Sequence, residues 1–81
     1  VYNWDSLIEA RHASTRHICR LFDYDHLPEG SKLRTTSKMF HGFMQETVRA
    51  LGDGPELTVG LRKLLEAKDC AVRQALLDER S

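Results

Sequence analysis

The chain has 81 residues, with twelve Lys and Arg balanced by twelve Asp and Glu. That is the length of one small domain, whose core supplies only a few kcal/mol of net stability, so an added source such as self-association is expected. Zero net charge argues against a general DNA binder, which draws most of its non-specific affinity from displaced phosphate counterions. No apolar run approaches the roughly 20 residues of a membrane span, and the Val1-Tyr2-Asn3-Trp4-Asp5 start lacks a basic-then-apolar signal layout. The composition reads as a soluble intracellular protein. The two cysteines, Cys19 and Cys70, fit neither a disulfide framework nor a metal knuckle and are expected as reduced thiols.

The fold class expected is all-α: a long antiparallel helical hairpin plus an N-terminal helix, assembled as a homo-oligomer. Residues 1–21 form the N-terminal helix, 22–30 a connector and 31–81 the hairpin, all within one domain. Asn3 is a fair N-cap for the first helix, and Trp4, Leu7, Ile8, Ile18 and Leu21 recur at spacings that share one side. Arg11, Ser14 and Thr15 interrupt that stripe, so the middle of this helix is expected either to be partly exposed, with the helix held at both ends, which is the favoured reading, or to face a solvated crevice or a partner. Pro28 and Gly30 then break the pattern.

The second helix starts near Ser31 and carries Leu33, Phe40, Phe43, Met44, Val48 and Leu51 until Gly52 stops it. Asp53 and Glu56 have capping-box spacing, and Pro55 suits a first helical turn. The third helix spans about Pro55 to Leu77 and has two apolar seams: Leu57, Leu61, Leu64, Ala71 and Ala75 make one, while Leu65, Val72 and Leu76 make the other. One hairpin partner cannot cover both. Arg62 with Glu66 and Asp69 with Arg73 are i,i+4 pairs that mark a solvent side. Gly60 suggests either a close helix approach or a tolerated surface position.

Metal and nucleophile chemistry find little support. His12 and His17 are five apart, on different sides of a helix, and His17-Ile18-Cys19 matches no zinc spacing. No serine or cysteine sits in a recognisable nucleophile elbow, so no enzyme activity and no cofactor are expected. Phosphate recognition has a better local case. A helix N-terminus favours anions, and the first turns of the second helix carry Lys32, Arg34 and Lys38. Arg34 and Lys38 are four apart, with His41 three further on. Phe22 and Tyr24, just upstream, can offer a stacking surface to a base, although Asp23 and Asp25 flank Tyr24 and repel phosphate if they point the same way; the plain alternative is that the basic residues are solvated and the aromatics belong to the core.

The run Phe22-Asp23-Tyr24-Asp25-His26-Leu27-Pro28-Glu29-Gly30, then Leu33-Arg34 and Ser37-Lys38-Met39-Phe40, resembles the start of the phage anti-CBASS protein 2 and Thoeris anti-defence hairpin family. The segment from Asp53 to Val72 resembles that family's second hairpin helix, and the likeness covers about residues 20 to 77. The resemblance implies a homohexamer that sequesters cyclic oligonucleotide immune signals in the host bacterial cytoplasm. Cyclic dinucleotides such as cyclic GMP-AMP, and cyclic trinucleotides, are the ligands it implies. It also implies a sponge that evades host defence without cleaving its ligand, with neither DNA nor membrane as partner. Within the family pattern, Tyr24 takes the base-stacking role and Lys38 the phosphate-binding role, with Lys32 or Arg34 as alternatives to Lys38. The candidate ligand-binding residues are therefore Tyr24, Lys38, Arg34 and His26. A small helical protein-protein interaction module with no nucleotide ligand is the competing expectation.

Overall fold

The computed structural model describes residues 3–80, and every regular element among them is helical. The order is α1 (Trp4–Glu9), α2 (Ala13–Arg20), α3 (Lys32–Ala50) and α4 (Pro55–Glu79). Ser31 caps α3, its side chain accepting from the Arg34 N–H. Gly30, at φ 80°, supplies the left-handed turn just before that cap. Pro55 opens α4. The antiparallel hairpin and its boundaries therefore agree with the expectation to within two residues. None of the described helices is long and apolar enough to cross a membrane.

The core sits where α2 lies on the closed half of the hairpin. Ile18, Cys19 and Phe22 from α2 and its end meet Met44 and Val48 of α3 and Leu57 and Leu61 of α4, with Trp4, Ile8, Phe40, Leu64 and Leu65 packed around them. Leu57, Leu61 and Ala75 form the buried line of α4, as the first apolar seam requires. The second seam divides: Leu65 packs against the core, whereas Leu76 is exposed. Lys68 ties α4 to α2 from the side, its ammonium donating to the Leu21 carbonyl at 2.8 Å.

The single N-terminal helix expected over residues 1–21 is two helices. The chain breaks between Glu9 and Ala13, and the reason lies in the hairpin turn. The Asp53 carboxylate accepts from the His12 backbone N–H at 2.8 Å, from the Thr15 hydroxyl at 3.1 Å and from Arg11 Nη1 at 3.3 Å. Arg11 also donates to the Val48 carbonyl, which the end of α3 leaves without a helical partner. These bonds replace the helical ones a continuous helix would have made, and they explain the polar interruption at Arg11 and Thr15. Thr15 is buried, not solvated. Asp53 is thus spent on α2, and the Asp53–Glu56 capping box does not form: Gly54 is the N-cap of α4 and makes no side-chain cap bond.

The two i,i+4 ion pairs expected on α4 are also absent among the described residues. Arg73 turns instead to Cys70 Sγ, 3.4 Å away. The ion pairs near α4 run between elements, as Lys32 to Asp78 at 3.1 Å and Arg11 to Asp53 at 3.3 Å.

Asp53 sets an acid limit on this arrangement. The His12 N–H, followed by the Thr15 hydroxyl and Arg11, holds its carboxyl below the ordinary value of 3.8. A carboxyl with a depressed folded pKa contributes stability that is fully present above its unfolded value and lost as pH falls through the folded one. Acid titration of the melting temperature is expected to show that loss below about pH 4. Asp53→Asn should melt lower than the parent at pH 7 and lose less on acidification; parallel acid curves for the two proteins would remove Asp53 from this role.

Candidate functional site

The connector between α2 and α3 is held from both ends. Phe22, one turn past Ile18 and Cys19, is fully buried and anchors it in the core. The Asp23 carboxylate then accepts from the N–H groups of Tyr24 at 2.8 Å and Asp25 at 3.3 Å. Those bonds, led by the Asp25 amide, hold its carboxyl below the ordinary 3.8. Arg34 closes the far side, donating to the Leu27 carbonyl at 3.3 Å and pairing with Asp25 at 3.7 Å.

This bracing presents Tyr24, half-buried, above the first turns of α3. Its ring lies edge to face with His41, centroids 5.1 Å apart at 74°. The Arg34 guanidinium is 5.5 Å and the Lys38 ammonium 5.9 Å from its centroid. Helical spacing explains the grouping, since 34, 38 and 41 follow one face of α3. Burial holds His41 below the ordinary imidazole value of 6.5, against the raising effect of Asp23 and Asp25. At pH 7 the cluster is therefore an aromatic ring with a neutral imidazole and two cations.

Those two cations are not equivalent. Arg34 is engaged with Asp25 and the Leu27 carbonyl, whereas Lys38 is exposed and has no carboxylate partner among the described residues. Lys32 is committed elsewhere, to Asp78. Among the three cations considered for the phosphate role, Lys38 is the one with a free ammonium beside Tyr24.

Three sequence-based expectations need correction here. Phe22 cannot offer a stacking face, because the core encloses it. The N-terminus of α3 is not an open anion seat: Glu79 Oε1 already accepts from the Lys32 N–H at 2.7 Å, and Ser31 Oγ from that of Arg34. The repulsion expected from Asp23 and Asp25 is reduced, since the Asp23 carboxylate accepts from the Tyr24 and Asp25 N–H groups and that of Asp25 is paired with Arg34. His26 is exposed and joins neither ring nor hydrogen bond in the cluster; it acts on Asp23 through charge alone.

Next to the cluster a cleft of about 500 Å³ opens between α1, α2 and α3, with His41 and Asp23 in its lining. Arg16 and Arg20 line it from α2, Asp5 and Glu9 from α1, and Trp4 and Ile8 give it an apolar wall. Sequence reasoning missed this surface. The i,i+4 spacing of Arg16 with Arg20 and of Asp5 with Glu9 is visible in the sequence, but their opposition depends on the break between α1 and α2.

Cys19 also lines the cleft, and burial pushes its thiol up to about 11, which suppresses the thiolate a nucleophile needs. Both cysteines are free. Among the described residues no three His, Cys, Asp or Glu side chains gather as a metal-binding group. Compared with family models, curated proteins and solved structures, the chain has no match.

Proposed function

We propose that this chain binds and sequesters cyclic oligonucleotide immune signals, cyclic dinucleotides such as cyclic GMP-AMP first among them, without cleaving them. The observation that carries the reading is the half-exposed Tyr24 ring with the uncompensated Lys38 ammonium 5.9 Å from its centroid. A cyclic dinucleotide presents a base to stack and a phosphodiester to pair with a cation, and this cluster offers one partner for each. The resemblance across residues 20 to 77 to the anti-CBASS and Thoeris anti-defence hairpins supports the same reading. On it, the protein works as a homo-oligomer, a hexamer in that family, in the cytoplasm of an infected bacterium. In one protomer the cluster holds one tyrosine and, among the described residues, one lysine without a carboxylate partner; symmetric copies can bring a second set to the other half of a cyclic ligand.

A binding assay with recovery of the ligand tests this. Cyclic GMP-AMP and a cyclic trinucleotide are added separately, the melting temperature is recorded, and the ligand is recovered after denaturation. The expected result is a rise in stability, about 2.7 kcal/mol at one hundred times the dissociation constant, and return of the ligand intact. No shift with any cyclic oligonucleotide would leave the competing reading, a protein interaction module with no nucleotide ligand. A cleaved product would replace the sponge with an enzyme.

A further inference from the structure

The cleft of about 500 Å³ between α1, α2 and α3 carries unlike charges on its two helical walls. Its volume falls within the range of about 300 to 1,000 Å³ usual for small-molecule sites. Arg16 and Arg20 share one face of α2 by their i,i+4 spacing, as Asp5 and Glu9 share one face of α1. Among the described residues none of these four side chains is in an ion pair, so the two walls do not neutralise each other. Arg16 instead donates to the Glu9 backbone carbonyl at 3.3 Å, and Arg49 lies over the Trp4 ring, 5.5 Å from its centroid. Those two contacts hold α1 at either end and keep its carboxylates across from α2.

The mixed charge decides what the cleft can take. With Asp23 also in the lining, three carboxylates outnumber two guanidiniums, so a bare anion gains little. A ligand that brings hydrogen-bond donors as well as a phosphate meets both walls at once. Trp4 and Ile8 add an apolar surface suited to a flat ring. Guanine has this pattern, because its N1–H and N2–H donate side by side and match the two oxygens of a carboxylate. Adenine sets one donor beside an unprotonated ring nitrogen on the same edge, and a carboxylate repels that nitrogen. His41 lies edge to face with Tyr24 and also lines the cleft, so the cleft adjoins the Tyr24 cluster.

We propose that this cleft is a guanine-nucleotide subsite, in which the Asp5 and Glu9 carboxylates accept from the guanine edge while Arg20, with Arg16, pairs with a phosphate. It names guanine as the base this chain selects in a cyclic dinucleotide, and for that ligand it rests on the reading above. A guanine mononucleotide tests the cleft by itself.

Trp4 is the chain's single tryptophan, so its fluorescence reports on the cleft. GMP is expected to change that emission saturably, and AMP to need a concentration about fivefold higher or more, the lower end of what one bidentate base contact contributes. Asp5→Asn with Glu9→Gln removes both charges at nearly constant shape and should bring GMP to the level of AMP. Arg20→Gln should weaken both nucleotides alike. Circular dichroism checks the helices of each variant, and the parent's own preference decides the case if a variant unfolds. Equal response to GMP and AMP, or a GMP preference that survives the double variant, would overturn the guanine subsite. Melting-temperature titrations with cyclic di-GMP and cyclic di-AMP separate this from the wider reading. Binding of both rings without preference would overturn the subsite and leave the cyclic nucleotide reading. Guanine-selective binding of GMP with no response to either ring would uphold the cleft and count against that reading. No response to any of the four ligands would overturn both.

Discussion

Phe22→Ala is expected to cost about 3 to 5 kcal/mol of folding stability, the usual range for removing a fully enclosed aromatic ring. Phe22 has no exposed surface and sits with Ile18, Cys19, Met44, Val48, Leu57 and Leu61. The core of a domain this short supplies only about 3 to 5 kcal/mol of net stability, so the variant should be partly unfolded at room temperature. Phe22→Leu keeps most of the volume and should stay folded with a smaller loss. Urea unfolding monitored by circular dichroism measures both. Because Phe22 is the point at which the connector enters the core, the Leu variant also tests how far the seat of Tyr24 depends on this anchor. A Phe22→Ala protein as stable as the parent would place the ring outside the core and make it available for stacking after all.

The two long helices were legible because local signals agree with tertiary demand. Ser31 caps, Gly52 stops, Pro55 starts, and the 3.6-residue period of Leu57 and Leu61 with Met44 and Val48 makes one dry seam. The break in the N-terminal helix was not legible, because Glu9-Ala10-Arg11-His12 contains no Pro or Gly. It is set by Asp53, about forty positions away, whose carboxylate takes the His12 N–H. The same residue misled the reading of α4, where its spacing to Glu56 matched a cap that the fold uses elsewhere.

The cluster around Tyr24 was half legible for a similar reason. Arg34, Lys38 and His41 share a helical face by spacing alone, and that face does meet Tyr24. What spacing cannot tell is which of two neighbouring aromatics the core will take. Phe22 continues the line of Ile18 and Cys19 by one turn, whereas Tyr24 lies beyond the Asp23 turn. Nor does spacing reveal which cation is already paired, and that pairing is what separates Lys38 from Arg34.

On the proposed function, Tyr24→Ala is expected to leave the fold in place and to weaken cyclic dinucleotide binding about five- to 150-fold, the equivalent of 1 to 3 kcal/mol for one lost base stack. The ring is only half-buried, and its neighbours are the His41 edge and two flexible cations rather than the core, so its removal opens no enclosed cavity. Tyr24→Phe keeps the stacking face and should bind within a few-fold of the parent. Lys38→Ala should also bind more weakly, and its affinity should fall less steeply as salt rises, because the lost contact is chiefly electrostatic. Arg34→Ala is the control with a different signature: it unties the Asp25 and Leu27 contacts of the connector, so binding and thermal stability should fall together. Calorimetric titration of folded variants at two salt concentrations separates these cases. If Tyr24→Ala and Lys38→Ala both bind like the parent, the ligand does not sit on this ring; if Tyr24→Ala unfolds, Tyr24 is a structural residue and the stacking role falls.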